Sequence, residues 1–182
     1  MTRLAIPPDI RFGVGGFPLA FTERPEAKDR GAVFAWLRSV GLDAIELQMT
    51  YGPRMTAEQG RRYRALAIAD DIKLSIHGSY YIVLASPDPA KVLRSVDTLL
   101  RTYEQADILG AREIVLHPGS LYGAPEADVS RRFAENLERF MAQLGKTDIS
   151  LMIETAGKVG QMGSVDTNLD VASTDKGVDP CM

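Results

Sequence analysis

Short apolar runs recur roughly every 30–40 residues along the chain, and each is followed by a polar or glycine-rich loop and a segment with helical periodicity. The runs are aliphatic or β-branched, which is typical of strands buried on both faces of a parallel sheet. This alternation predicts a series of βα units in an α/β protein. The predicted strands are Arg11–Val14, Ala44–Leu47, Leu74–Ile76, Glu113–Leu116, Ser150–Ile153 and a sixth that begins at Val178.

Capping residues mark the helix boundaries. Thr56 suits an N-cap, and Gln59 follows three residues later, as in a capping box. Gly41, Gly110 and Gly145 come directly after three of the periodic segments, which is typical of helix C-termini. The predicted helices are Glu26–Val40, Thr56–Asp70, Pro89–Leu109 and Ala127–Leu144.

Two α/β architectures accommodate these units, an open doubly wound sheet and a closed (β/α)8 TIM barrel. A barrel takes eight units in roughly 250 residues, whereas the 182 residues here hold about five units and the start of a sixth strand. After Gly160 the helical signal is weak, and the chain ends at Met182, just after the sixth strand begins. We therefore expect residues 1–182 to form a single domain that corresponds to the N-terminal two-thirds of a TIM barrel.

Composition narrows the function classes. The formal net charge is −3, so any contact with nucleic acid would depend on a local basic patch. The one cysteine, Cys181, cannot form an internal disulfide, as is usual in the cytoplasm. Residues Met1–Asp9 do not resemble a signal peptide, and no apolar stretch approaches the roughly 18 residues of a membrane span. The sequence thus predicts a cytoplasmic protein without a membrane partner.

Metal-ligand residue types follow three consecutive predicted strands. His77 and His117, the only two histidines, come directly after the third and fourth strands, and Glu154 follows the fifth. The carboxyl ends of parallel strands lie on one side of such a fold, so we expect the three side chains to converge. Two imidazoles and a carboxylate suit zinc or a similar divalent ion. The alternative for each residue is a hydrogen-bonded structural role, but three in register favour a metal site.

Other residues near these strand ends have two interpretations each. Tyr80 and Tyr81 lie just past His77, where paired aromatics either stack on nucleobases or pack the loop onto the sheet. Lys158 either meets a phosphate or is a solvated loop residue. The segment Gly13–Gly16 does not match the GxGxxG pattern, so it is predicted to be a bare turn rather than a dinucleotide site.

Three segments resemble the motifs of one enzyme family. Ser75–Asp88 (SIHGSYYIVLASPD), Val115–Ser120 (VLHPGS) and Met152–Lys158 (MIETAGK) are similar to the third-, fourth- and fifth-strand motifs of the endonuclease IV family. These AP endonucleases are members of the xylose isomerase-like TIM barrel superfamily. The motifs occur in family order and at family-like spacing, and the resemblance extends from Arg11 onward. The form of the first two units resembles the archaeal-like branch.

The resemblance implies an activity and a set of ligands. The family fold is a TIM barrel that holds up to three zinc ions. Enzymes of the family hydrolyse the DNA phosphodiester 5′ to an abasic site in base-excision repair. His77, His117 and Glu154 match three ligands of one metal, and Glu154, the expected catalytic residue, also bridges to a second. Further family ligands would follow Met182, so at most one metal site is expected to be complete here and the chain to be inactive. The implied partner is DNA containing abasic sites, bound by a monomer when the enzyme is complete.

The resemblance also implies DNA-binding residues. Tyr80 matches an aromatic residue that penetrates DNA, and Tyr81 lies beside it. Arg54 matches a penetrating arginine only loosely, because the loop around it differs. Val83 and Thr155 stand where the family usually has asparagine, which changes the hydrogen bonding expected around the site.

Two other functions remain open. A sugar-phosphate or ketose isomerase or epimerase of the same superfamily shares the barrel and a fifth-strand glutamate that binds a single metal, and the acidic net charge favours it. The other alternative is a fragment without activity. Its first and sixth strands would be unpaired edges and an apolar barrel interior would face water, so we expect such a chain to aggregate.

Overall fold

A parallel β-sheet packed against helices forms the fold, and the computed structural model describes residues 10–156, 160–164, 166, 168 and 178–180. Met1–Asp9 and Cys181, which entered the sequence predictions, lie outside this part of the chain. The strands are β1 (Gly13–Gly15), β2 (Ala44–Gln48), β3 (Lys73–His77), β4 (Glu113–Leu116), β5 (Ser150–Ile153) and β6 (Val178–Pro180). The α-helices are α1 (Leu19–Thr22), α2 (Val33–Ser39), α3 (Ala57–Ala69), α4 (Pro89–Leu109) and α5 (Glu126–Leu144).

The strand order follows the chain. Each strand pairs in parallel with the next one, in the order β1-β2-β3-β4-β5-β6. A doubly wound sheet reverses its strand order at a switch point, whereas crossovers that all run in one direction put the helices on one face and curl the sheet toward a barrel. Within the described residues, β1 and β6 each have one strand partner. The predicted α/β fold, a partial TIM barrel, is therefore confirmed.

The two faces of the sheet differ in composition. The face under the helices is buried and aliphatic, with Ile45, Leu47, Leu74, Ile76, Ile114, Leu116, Leu151 and Ile153. The opposite face, called the inner face below, is half-buried or exposed and mostly polar, with Ala44, Glu46, Gln48, Lys73, Ser75, His77, Glu113, Val115, Ser150 and Met152. The predicted burial of the strands on both faces is therefore wrong for the described residues. The predicted apolar barrel interior is wrong for the same reason.

Three of the four predicted helices are confirmed, with small changes at their ends. α4 has the predicted bounds, because Asp88 accepts a hydrogen bond from the Ala90 N–H at 2.9 Å and Gly110 ends the helix with a φ of 73°. α3 begins after Thr56, whose hydroxyl accepts from the Gln59 N–H in the predicted capping box. Among the helices of the described ranges, none combines the length and the apolar character that a membrane crossing requires.

The predicted helix Glu26–Val40 is wrong over its first half. Two 3-10 turns occupy residues 25–28 and 30–32, and α2 begins only at Val33. The Asp29 carboxylate accepts from the Gly31 N–H at 2.9 Å and also binds the Arg62 guanidinium. These side-chain bonds compete with the helical ladder, which explains why helical periodicity did not produce one continuous helix. The short helix α1 has no counterpart in the sequence prediction.

The segment Gly13–Gly16 forms β1 and its end rather than the predicted bare turn. Gly13 pairs with Ala44, and a Cβ on Gly13 would lie 2.2 Å from the Ala44 carbonyl oxygen. Glycine is therefore required for β1 to approach β2 this closely. The core on the other side of the sheet is anchored by four fully buried aromatic rings, those of Phe21, Phe34, Phe133 and Phe140.

Candidate metal centre and its rim

His77, His117 and Glu154 meet at the carboxyl end of the sheet. His77 is the last residue of β3, His117 comes one residue after β4, and Glu154 comes one residue after β5. Glu154 Oε2 lies 3.1 Å from His77 Nε2 and 3.4 Å from His117 Nδ1. One ligand atom from each of the three residues lies within 4.8 Å of the other two. With 19%, 37% and 40% of their side-chain surfaces exposed, the three groups are partly desolvated yet open to a ligand.

Backbone hydrogen bonds continue past the strand ends and fix the backbone at these positions. The Gly78 N–H donates to the Val115 carbonyl at 2.7 Å, and the Glu154 N–H donates to the Leu116 carbonyl at 3.0 Å. The ladder of the sheet thus reaches as far as the three side chains. In parallel α/β proteins this end of the strands is where active sites form, because loops from several units meet there.

The imidazole of His77 is oriented by a neighbouring carbonyl. Its Nδ1 lies 3.1 Å from the Gly78 carbonyl oxygen, which can only accept, so we assign a proton to Nδ1. In the neutral tautomer, Nε2 then presents its lone pair toward Glu154 Oε2, 3.1 Å away. Two lone pairs that face each other at this distance form a binding geometry for a cation. A carbonyl partner on the second ring nitrogen is also usual for a metal-ligating histidine.

Two of the three donor separations match those around a tetrahedral divalent ion. Ligand bonds of about 2.0–2.1 Å in tetrahedral geometry separate neighbouring donor atoms by about 3.4 Å. The distances of 3.1 Å and 3.4 Å from Glu154 Oε2 to the two imidazoles are close to that value. Three protein ligands leave one tetrahedral position for water or substrate, which is the pattern of catalytic rather than structural zinc sites.

The loop that carries His117 is held against the segment after β5. The Met162 N–H donates to the Gly119 carbonyl at 2.9 Å. Gly163 adopts a φ of 121°, and a Cβ there would lie 2.9 Å from Pro118 Cγ. The two loops can therefore pack this closely only around a glycine, and their contact fixes the direction in which the His117 loop leaves the sheet.

Exposed aromatic rings lie beside the cluster. Tyr80 and Tyr81 are 65% and 64% exposed, so neither ring is buried against the sheet. The Tyr80 ring stands edge-on to the His117 ring, with centroids 6.4 Å apart. The Tyr81 ring lies 6.1 Å from that of Tyr51, and the Arg54 guanidinium lies 5.4 Å above the Tyr51 ring. We call Tyr51, Arg54, Tyr80 and Tyr81 the rim.

The Ser79 hydroxyl ties the two loops of the rim together. It donates to the Thr50 carbonyl at 3.1 Å and accepts from the Tyr81 N–H at 3.2 Å. Tyr51, which follows Thr50, is the rim residue that sequence reasoning missed, although its place in the loop after the second strand could have indicated it. Lys158, the other residue considered for this end of the sheet, lies outside the described residues.

Solved structures with the same fold include two kinds of enzyme. D-psicose 3-epimerase from Clostridium cellulolyticum matches with a TM-score of 0.75 and 14% identity over 94% of this chain and 62% of that chain. Endonuclease IV from Thermus thermophilus matches with a TM-score of 0.69 and 22% identity over 94% of this chain and 62% of that chain. At these identities the likeness shows a shared fold alone.

The sequence relatives match different shares of this chain. A protein of Methanocaldococcus jannaschii is 27% identical over 160 residues, which are 87% of this chain and 55% of that protein. A probable endonuclease 4 of Nitratidesulfovibrio vulgaris is 35% identical over 83 residues, which are 45% of this chain and 29% of that protein. The chain thus covers about half the length of the first relative and less of the second. The family model of the xylose isomerase-like TIM barrel matches residues 34–180, and the chain belongs to that family.

Proposed function

We propose that this chain carries the first metal site of a metal-dependent phosphodiesterase that cuts DNA at abasic sites, in the manner of endonuclease IV. The observation that carries the proposal is the convergence of His77, His117 and Glu154 beside an exposed aromatic rim. The likeness to a probable endonuclease 4 supports it in sequence, although the match covers 45% of the chain.

Zinc is the ion we propose for the cluster, because imidazole and carboxylate ligands with tetrahedral spacing suit it. When bound, such an ion supplies Lewis acidity at a phosphoryl oxygen. His77 and His117 hold their side of the site as neutral donors, and the Gly78 carbonyl keeps the His77 ring in the required tautomer. Glu154 is the proposed catalytic residue. Among the described residues its Oε1 makes no hydrogen bond, and we propose that this oxygen accepts a proton from water or contacts a second cation.

The rim supplies contacts to DNA in this proposal. Tyr80 stands beside His117 with most of its ring in solvent, where it can enter the gap that an extrahelical abasic nucleotide leaves in the duplex. Tyr81 and Tyr51 offer ring faces to neighbouring bases. Arg54 provides a positive charge that can contact a backbone phosphate. This local charge matters because the chain as a whole has a net charge of −3.

A second candidate is the isomerisation or epimerisation of a sugar or sugar phosphate. The observation that favours it is the polar inner face, where Glu46 is one strand away from the cluster and repels a polyanion but not a neutral sugar. Its site would share Glu154, the fifth-strand glutamate, as a ligand of a single metal.

Nicking of a duplex oligonucleotide with one abasic site tests the first function. We would assay this chain and the complete product of its reading frame, each loaded with zinc. Glu154→Gln should abolish cutting, because the residue holds the metal and contacts the reacting atoms. The matched control is Glu113→Gln, the same change at the opposite end of the inner face, which should leave cutting unchanged.

Two results would contradict the proposal. If the complete product is folded and metal-loaded but leaves the abasic duplex intact, the phosphodiesterase is ruled out, and conversion of a ketose by the same sample then establishes the second function. Cutting that survives in Glu154→Gln removes the cluster from the chemistry.

A further inference from the structure

A carboxylate and an amide stand on the inner face of β2, next to the metal cluster. Glu46 pairs in register with Ser75, and Gln48 pairs with His77. Register partners in a parallel sheet point to the same side, and neighbouring strands lie about 4.8 Å apart. Gln48 therefore stands one strand spacing away from a proposed metal ligand, although it has no role in the proposed function above.

The pair is bonded internally but keeps most of its hydrogen-bonding capacity. Gln48 Nε2 donates to Glu46 Oε1 at 3.0 Å. Within the described ranges, neither side chain makes another hydrogen bond or ion pair. Glu46 Oε2, Gln48 Oε1 and the second amide hydrogen therefore remain for a ligand. Gln48 is exposed and Glu46 is half-buried, so these atoms are accessible from the inner face.

Glycines at the end of β1 leave the pair uncovered. A Cβ on Gly15 would lie 3.4 Å from Gln48 Nε2, and a Cβ on Gly16 would lie 3.2 Å from Gln48 Cγ. Larger side chains at these positions would cover the amide. The Gly16 N–H also donates to the Glu46 carbonyl at 2.8 Å, which holds the glycine segment in place. The glycine-rich segment thus leaves the Gln48 amide uncovered, one strand away from His77.

We propose that Glu46 and Gln48 bind a hydroxyl group of the sugar ring presented to the metal cluster, an inference that rests on the proposed function. A hydroxyl both donates and accepts, and a carboxylate beside an amide N–H offers the matching acceptor and donor. A phosphate oxygen only accepts and carries negative charge, so Glu46 repels it. The pair therefore selects the neutral sugar part of a substrate over its phosphates.

The test compares two duplexes that differ by one hydroxyl. A natural abasic site carries a C1 hydroxyl on its deoxyribose, and the tetrahydrofuran analogue lacks it. We expect the zinc-loaded wild type of the complete product to favour the natural site about 10-fold or more in kcat/KM, because a hydrogen bond to a charged carboxylate discriminates by at least that much. Glu46→Gln and Gln48→Leu should each lower this ratio, while zinc affinity stays unchanged. A wild-type ratio near one, or a ratio that both variants preserve, overturns the proposal.

Failure of the phosphodiesterase gives a different result from failure of the hydroxyl site. If the wild type cuts neither duplex, the phosphodiesterase proposal fails, and calorimetric titration of the zinc-loaded protein with D-fructose tests the pair. Binding that weakens about 10-fold in Glu46→Gln and in Gln48→Leu, but not in Glu113→Gln, supports the hydroxyl site. Absence of binding, or equal binding by all four proteins, overturns it.

Discussion

Replacing Glu154 by glutamine should weaken zinc binding enough to be visible in thermal unfolding. Glu154 Oε2 is the atom that faces both imidazoles, at 3.1 Å and 3.4 Å. Donor atoms of a tetrahedral zinc site lie about 3.4 Å apart, so the two distances at this carboxylate need to change by only a few tenths of an ångström when zinc binds. Glutamine has the same size but no charge, and it removes the ligand without opening a cavity.

The size of the effect follows from linkage between binding and folding. Zinc at 100 times its dissociation constant stabilises the folded state by about 2.7 kcal/mol. In a chain of this size 1 kcal/mol shifts Tm by about 2–4 °C, so the wild type should melt about 5–11 °C higher with zinc. Loss of a group that only orients a ligand costs up to about 100-fold in affinity, so loss of the ligand itself should cost at least that much. The same zinc concentration then stabilises Glu154→Gln by at most about 0.4 kcal/mol, or at most about 1–2 °C.

Differential scanning calorimetry with and without zinc measures both shifts, and a chelator should reverse them. Glu113→Gln is the matched control, because Glu113 begins β4 on the inner face, about 13 Å along the strand direction from His117. It should keep the full zinc shift. If Glu154→Gln gains as much as the wild type, the carboxylate is not a ligand and the reasoning from its geometry is wrong. A wild type that does not respond to zinc refutes the metal centre itself.

Four further substitutions, one of them a control, test the stability of the fold. Gly13→Ala places a Cβ 2.2 Å from a backbone oxygen of β2 and should lower the free energy of unfolding by about 1–3 kcal/mol in urea denaturation, whereas Gly15→Ala, at 3.4 Å from a flexible amide, should stay near neutral. Phe133→Ala removes a fully buried ring and should cost about 3–5 kcal/mol in the same assay. The hydrogen bond from the Arg11 guanidinium lowers the pKa of Asp71 in the folded protein. The charged Asp71 carboxylate therefore stabilises the fold above the pKa that Asp71 has in the unfolded chain, and this stabilisation is lost as the pH falls through the pKa of Asp71 in the folded protein. Tm measured below about pH 4 should therefore fall less steeply in Asp71→Asn than in the wild type; an unchanged slope would contradict this linkage.

Local signals were strong where one residue type had one structural role. Asp88 and Gly110 mark the start and the end of α4 at the predicted residues, because an N-cap carboxylate and a left-handed glycine act within one helical turn. The convergence of His77, His117 and Glu154 was also predictable. Residues at the carboxyl ends of adjacent strands lie close together in any parallel sheet.

The environment of the polar strand residues depends on which face of the sheet the helices cover. A short apolar run in the sequence does not show which face this is. The segment Ala44–Gln48 alternates apolar and polar residues, yet the aliphatic content of the short strands suggested burial on both faces. The position of Glu46 on an uncovered face follows only from the placement of the helices. Asp29 similarly interrupts the predicted helix by binding Arg62. This partner lies 33 residues away in the sequence, so a helix prediction from neighbouring residues cannot include it.

The charge of the substrate distinguishes the two candidate functions, because it decides whether substrate binding requires the metal ion. A phosphodiester is an anion, and Glu154 and Glu46 both repel it unless a bound ion offsets their charge. Its binding near the cluster should therefore depend on metal as strongly as its cleavage does, with Arg54 and the rim rings as the remaining attraction. A neutral sugar meets no such repulsion, because the free atoms of Glu46 and Gln48 accept and donate hydrogen bonds whether or not the ion is bound. Substrate binding that persists after chelation thus favours a sugar-converting enzyme, and binding that disappears with the metal favours the phosphodiesterase.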